Sequence, residues 1–190
     1  MAAVWIERRH SDEDFAEADL GEANLRGCSF ERCSFRGARL DEATTRGCTF
    51  AECDFAGARL NGSIHEGSAF LNCRFYLTNL FVVRFDECKL TGASFEESDL
   101  TSLRITRGDW SLVNLRYQNL AGQQLRGVRL AEADLYRCNL ERADLREADL
   151  TRANLDGCRL RGADLRGAIL DGVNLQGLDL RDARLDLAQA

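Results

Sequence analysis

A large apolar residue stands at every fifth position of this chain, and few folds can use such a spacing. From Phe15 to Leu185 each fifth residue is Leu, Phe, Ile or Trp, with Thr45 and His65 the exceptions. On a helix, steps of five advance about 140° and scatter these side chains round the circumference. On a strand, an odd step throws them onto alternate faces. Neither regular element buries them together, so the chain has to turn a corner every five residues. Two before each centre the residue is usually Ala or Cys, small enough to let four large centres fill one interior. Fourteen of the sixteen glycines sit two after a centre, from Gly27 to Gly177, where a corner needs the left-handed backbone that glycine adopts readily.

The number of sides follows from which residues repeat together. At a spacing of twenty, Phe15, Phe35, Phe55, Phe75 and Phe95 form one column, and the leucines from Leu20 to Leu180 form another. At fifteen, Phe15 leads to Phe30, then Thr45, then Leu60. The expected fold is therefore all-β: a four-sided parallel β-solenoid of about 20 residues per coil, right-handed because parallel crossovers almost always are. At one strand spacing per coil the 190 residues give a rod on the order of 45 Å long. One domain spans 15–190. Residues 1–14 read as an N-terminal cap segment, since Arg8 and Glu13 fall in small slots, His10 falls at a centre, and Trp5 is placed to cover the core.

Composition excludes several functions. The net charge is −6, with 18 acids against 11 bases in the first hundred residues and 13 against 14 in the rest. A net-negative rod repels phosphate, so direct nucleic-acid binding is not expected. The start is too polar for a signal peptide and no run is long enough to span a membrane, so a cytoplasmic protein is expected. All eight cysteines lie in small inward slots and read as free, buried apolar side chains. Two histidines, no C-x-x-C pair and no glycine-rich phosphate loop leave no basis for a metal site, a cofactor or catalysis. His65 would stack over Thr45 and bond to it inside the core.

Breaks in a repeat are where function is written. In RFYLTNLFVVRF, residues 74–85, the outward positions carry Tyr76, Leu77, Phe81 and Val82, an apolar patch that Leu112 and Tyr117 extend. Between 103 and 123 the small slots hold Leu103, Gly108, Val113, Gln118 and Gln123, and Trp110 enlarges a centre, so the coil is expected to bulge or shift there. The repeat runs to Leu185, and an open solenoid end exposes strand edges. A twofold end-to-end dimer through Val173, Leu178, Leu180, Leu185 and Leu187 is the expectation.

The A(D/N)LXX pentad resembles the pentapeptide-repeat family, whose fold is a right-handed quadrilateral β-helix. Two stretches, GSIHEGSAFLNCRF (62–75) and SLRITRGDWSLVNL (102–115), together with the lack of long insertions, are most similar to the mycobacterial MfpA type within that family. The resemblance implies a dimeric rod that imitates DNA, binds DNA gyrase and confers tolerance to fluoroquinolones. Glu22, Asp41 and Glu42 on one corner, with Glu66, Asp86 and Glu87 on another, are the carboxylates expected to stand in for phosphates. Arg26, Arg46, Arg126, Arg146 and Arg166 share the corner of Glu66 and work against a uniformly DNA-like surface. The competing expectation is a scaffold that binds another protein through the Tyr76–Val82 patch, with no topoisomerase contact.

Overall fold

Backbone pairing twenty residues apart organises the molecule. The structure, a computed structural model, describes residues 2–186. Side 1 carries β1 (Val4–Ile6), β3 (Asn24–Arg26), β5 (Thr44–Arg46), β7 (Ile64–Glu66), β9 (Arg84–Asp86) and β10 (Arg104–Thr106), all parallel and in that order. Side 2 carries β2 (Arg9–Ser11), β4 (Ser29–Glu31), β6 (Thr49–Ala51) and β8 (Ala69–Leu71). Each strand matches its neighbour at an offset of twenty, as in Trp5 against Leu25 and His10 against Phe30. Sides 3 and 4 are held by single-residue parallel bridges at the same offset, such as Asp14 to Ser34 and Asp19 to Arg39. Residues 4–14 take the same path as every later coil, so the stretch before Phe15 is both first coil and lid, with the Trp5 ring 6.1 Å from Phe30.

The inward centres form a continuous core. Phe30, Phe50 and Phe70 stack on side 2 with ring centroids 4.8 Å apart. Phe35, Phe55, Phe75 and Phe95 stack on side 3, and Trp110, a side 2 centre, ends the aromatic part of the core by lying near-parallel to Phe95 and edge-on to Phe85 of side 1. Beyond Trp110 the core is leucine. All eight cysteines are buried thiols. They replace alanine with a gain: Cys73 Sγ donates to the Phe50 carbonyl at 3.4 Å and Cys88 Sγ to the His65 carbonyl at 3.2 Å. Burial pushes the Cys88 thiol up to about 12, so it stays protonated and unreactive at neutral pH.

Two kinds of corner alternate in the first half. On sides 3 and 4 the corner is a hydrogen-bonded turn, as where Ala18 N–H donates to the Phe15 carbonyl at 3.1 Å. After the strands of sides 1 and 2 that bond is absent among the described residues; the coil-to-coil ladder holds the corner, helped by slot side chains that bond back across it, as Cys33 Sγ does to the Glu31 carbonyl at 3.4 Å. The residue two after the centre is left-handed throughout, with φ of 57° at Glu22, 54° at Val82's neighbour in the coil, Leu77, and 60° at Gly27. The strand-flanked corner gives way to the turn after Leu71 on corner 2/3 and after Thr106 on corner 1/2. Each of these switches carries a glycine with a close neighbour, and at the second the space itself requires it. A Cβ on Gly92 would lie 2.1 Å from Asn72 Oδ1, which can swing away; one on Gly108, at φ 117°, would lie 2.3 Å from the Cys88 carbonyl oxygen, which cannot.

The oversized slots leave their mark. Leu103 and Gln118 are buried, and Gln118 Nε2 donates to the Phe95 carbonyl at 2.8 Å. Where these side chains fill corners 3/4 and 4/1, the ladder between neighbouring coils lapses on sides 4 and 1. Leu80 N–H reaches the Asp99 carbonyl at 2.9 Å and Leu120 N–H the Asn139 carbonyl at 2.8 Å, but Leu100 N–H has no such bond to Asn119. On sides 2 and 3 the same coils stay joined, Leu90 N–H to the Asp109 carbonyl at 2.8 Å and Phe95 N–H to the Asn114 carbonyl at 3.0 Å.

The two polar centres satisfy each other. His65 Nδ1 and Thr45 Oγ1 are 2.8 Å apart, His65 Nε2 and Ser63 Oγ 2.9 Å, and Thr45 Oγ1 and Ser68 Oγ 2.9 Å. Burial alone depresses the His65 pKa from 6.5 to about 3, so the ring is neutral in the fold.

Two outcomes are expected. Gly108→Ala should cost about 3 kcal/mol or more in denaturant unfolding, because it combines a left-handed φ with a backbone collision, whereas Gly122→Ala, with open space around it, should cost about 1. Since the unfolded chain takes up a proton at His65 that the fold refuses, stability should fall as pH drops from about 6.5 towards 3, by on the order of 4 kcal/mol from this group. His65→Leu should flatten that slope in thermal melts across the same pH range; an unchanged slope would refute the assignment.

Candidate interaction surface

Corner geometry decides which carboxylates are free. Glu22, Asp41 and Glu42 do share corner 4/1, and Glu66, Asp86 and Glu87 share corner 1/2, as the spacing of twenty requires. Most are neutralised. Arg46 Nε lies 2.7 Å from Glu66 Oε2, Arg84 Nη2 2.6 Å from Asp86 Oδ2, Arg107 Nη2 2.5 Å from Glu87 Oε1, and Arg59 Nη2 3.2 Å from Asp41 Oδ1. Among the described residues Glu22 and Glu42 have no cationic partner. Glu7, Glu17, Glu52 and Glu97 are in the same condition and, like Glu22 and Glu42, stand at left-handed corner positions that aim the side chain outward. Sequence reading passed over these four. The signal available for most of them is the residue twenty away on the same corner: an arginine there pairs with the acid, as Arg107 does with Glu87, while glycine, leucine or tyrosine leaves it free.

The second half hides its charge differently. Arg146, Arg166 and Arg181 each fork onto the aspartate two residues before, with Nε and Nη2 at 2.8 and 2.6 Å from the two carboxylate oxygens. The Arg166 side chain beside it holds Asp164 down at about 2. Free carboxylates thus gather in the first half of the rod, and self-cancelling pairs in the second.

The expected apolar patch divides in space. Tyr76, Leu77 and Tyr117 lie on corner 3/4, Phe81 and Val82 on corner 4/1, and Leu112 on corner 2/3, diagonally opposite Phe81. Two ridges therefore border side 4, with Leu77 54% exposed and Phe81 46% exposed, and Leu112 belongs to neither. Arginines sharpen the first ridge: Arg74 stacks 4.7 Å from the Tyr76 ring, and Arg116 lies 5.7 Å from Tyr117 and 4.5 Å from Tyr136. At the far end Val173, Leu178, Leu180 and Leu185 pack on the core but remain partly exposed, unlike Leu145 and Leu165 deeper in. Leu187 lies outside the described residues.

A family model described as pentapeptide repeats matches this sequence in 8 copies, over residues 14–50, 28–64, 111–147, 124–162 and 148–186. The stretch 65–110, which holds His65, the Tyr76–Val82 patch and the corner switches, falls between those spans. Comparison with curated proteins finds no match. Among solved structures, a trypsin-treated form of QnrB1, described as a plasmid-mediated fluoroquinolone resistance protein, has a TM-score of 0.88 at 20% identity over 96% of this chain and 92% of that chain. Full-length QnrB1 has a TM-score of 0.63 at 16% identity over 99% and 95%. HetL, a pentapeptide repeat protein involved in heterocyst differentiation regulation in the cyanobacterium Nostoc, has a TM-score of 0.54 at 25% identity over 96% and 86%. No helix among the described residues is long and apolar enough to cross a membrane.

Leu77 and Phe81 stand in solvent, so folding does not depend on burying them. Leu77→Ser and Phe81→Ser should each leave the unfolding free energy within about 0.5 kcal/mol of the parent, as read by chemical denaturation. A loss of several kcal/mol would show that the ridges are structural.

Proposed function

The chain belongs to the pentapeptide-repeat family, and we propose that it acts as a DNA-mimicking rod of the MfpA type. In this reading it binds DNA gyrase in the cytoplasm, modulates or inhibits it, and protects it from fluoroquinolone-type inhibitors. The observation that carries the proposal is the gathering of uncompensated carboxylates on the corners of one half of a rod without inserted loops. Glu22 and Glu42 sit one coil apart on one corner, and Glu7, Glu17, Glu52 and Glu97 decorate the other three. A surface that holds a duplex is positive, and such an edge meets it as a duplex does. The imitation is partial, since one coil spacing of about 4.8 Å is coarser than the ~1.7 Å charge spacing of DNA. The likeness of fold to QnrB1 supports the same reading. Self-association through Val173, Leu178, Leu180 and Leu185 belongs to the proposal, because it would double the rod and place an acidic half at each end.

The exposed ridges favour a second reading, a protein scaffold that docks through Tyr76, Leu77, Phe81 and Val82 with no topoisomerase contact. The two readings separate cleanly. With gyrase, the parent protein should inhibit supercoiling or relieve ciprofloxacin-stabilised cleavage, with salt-sensitive binding. Glu22→Lys with Glu42→Lys should weaken that effect at least tenfold, while Arg46→Gln with Glu66→Gln, which removes a pair whose charges already cancel, should change it little. No effect on gyrase at tens of micromolar, with a partner captured by the parent and lost in Phe81→Asp, would establish the scaffold instead. Light scattering that shows a monomer at micromolar concentration would remove the dimer from the proposal.

A further inference from the structure

One seam of the solenoid is open, and its lips are rows of free backbone groups. On the lower lip the N–H groups of Glu97, Leu100, Ser102, Ile105 and Arg107 have no partner on the next coil, although their equivalents one coil down do: Leu77 to Glu96 O at 3.2 Å, Leu80 to Asp99 O at 2.9 Å, Val82 to Thr101 O at 3.1 Å and Glu87 to Thr106 O at 2.9 Å. The equivalents one coil up are also bonded, Tyr117 to Tyr136 O at 2.9 Å, Leu120 to Asn139 O at 2.8 Å, Gly122 to Glu141 O at 2.8 Å, Leu125 to Asp144 O at 2.8 Å and Gly127 to Arg146 O at 2.9 Å. Facing the empty donors, the carbonyls of Arg116, Asn119, Ala121, Gln124 and Arg126 accept nothing across the seam.

The cause is steric. Leu103, Gln118 and Gln123 occupy the small slots of corners 3/4 and 4/1, where Ala143 and Ala163 stand two and three coils above Leu103 and Ala38 and Ala58 stand below Gln118. They prop these coils apart on sides 4 and 1, while Gly108 and the bonds of sides 2 and 3 keep them together opposite. The gap is real space: three cavities of about 540, 250 and 440 Å³ follow one another along it, from Glu96 and Tyr117 past Leu100 and Gln118 to Ile105 and Gln124. Core side chains show through it, Leu100 at 4% and Ile105 at 7% exposure against none for Leu80 and Phe85.

We propose that this seam is a docking cleft for an extended segment of a partner protein, added as a strand between the two coils. A parallel strand presents both N–H and carbonyl groups to each neighbour, so one guest strand can answer the free donors of the lower lip and the free carbonyls of the upper. Charge specifies the segment. At the side 3/4 end of the cleft stand Glu97, without a cationic partner among the described residues, Glu96, whose carboxylate takes Asn114 Nδ2 at 2.9 Å, the ring of Tyr117, and Arg116, whose charge is answered by Asp134 at 2.9 Å; the carboxylates are left in excess, so the residue entering there is basic. Five residues on, the lips turn at Ser102 and Gly122, both left-handed, and the guest must turn with them, which calls for glycine. The occupant is a short extended peptide with Arg or Lys at its first position and Gly at its sixth. This cleft is separate from the Glu22–Glu42 corner, and Glu97 is the one carboxylate the two readings share, so loss of the gyrase effect in the Glu22→Lys, Glu42→Lys variant and loss of peptide binding here can be told apart.

Hydrogen exchange by NMR tests it on the intact protein. The amides of Leu100, Ser102, Ile105 and Arg107 should exchange at least a hundredfold faster than those of Leu80, Val82, Leu120 and Leu125. The probes are ten-residue peptides, blocked at both ends, with Arg first, Gly sixth and Val, Ile or Thr elsewhere. They should slow exchange at those four amides at least tenfold, and versions with Glu first or with alternate amides N-methylated should not. Leu103→Ala with Gln118→Ala and Gln123→Ala restores three small slots, so it should close the seam, protect the four amides without peptide and abolish binding. Glu96→Lys with Glu97→Lys should leave the amides fast and lose the Arg-first peptides. Amides already as protected as their neighbours in the parent, or no protection by any peptide of the panel at millimolar concentration, would overturn the proposal.

Discussion

The parallel ladder at an offset of twenty residues is the interaction on which everything else here rests. Sides of five residues are too short to be strands in their own right, and many make only a single bridge. What gives them order is repetition: outside the open seam, donors at the centre and corner of one coil find carbonyls of the next, and donors of the next reach back, so the coils stabilise one another and no coil is stable by itself. The inward centres add the hydrophobic term. Their spacing of five follows from the ladder, because a four-sided coil leaves room for one large side chain per side.

Function is legible in such a molecule only as departure. A regular coil presents the same corner again and again, and its charges tend to cancel across the offset of twenty, as Arg46 and Glu66 do. Glu22 and Glu42, Tyr76 and Phe81, and the slots at Leu103, Gln118 and Gln123 are places where the repeat supplies no answering group. Two of these departures lie on or near side 4, and the third opens it.

The fold was nearly all present in the sequence, since a period of five and columns at twenty leave one winding that buries Phe35 on Phe55 and Leu140 on Leu160. His65 and Thr45 were also readable, because two polar centres twenty apart can satisfy one another inside the core. The surface was harder. Whether a carboxylate is free depends on where an arginine's long side chain falls, and Arg59 reaches Asp41 from a distance of 18 in sequence, not 20. The patch was read along the chain, whereas the corners separate Leu112 from Phe81 by half a turn of the coil. Bulky slots announced a disturbance between 103 and 123, but the choice of sides 4 and 1 for the opening depended on sides 2 and 3 staying joined through Asn114 and Ala93.

The buried quartet of Thr45, Ser63, His65 and Ser68 has a consequence for how the chain finds its winding. Near-identical pentads are degenerate: wound at fifteen residues instead of twenty, most leucines would still meet a leucine or phenylalanine. His65 would then lie on Phe50, and Thr45 on Phe30, leaving buried donors and acceptors with nothing to answer them. Only one winding satisfies all four. The quartet therefore works as an index mark that distinguishes the native coil from its near-isoenergetic miswound relatives, contributing selectivity among compact states more than depth to the chosen one.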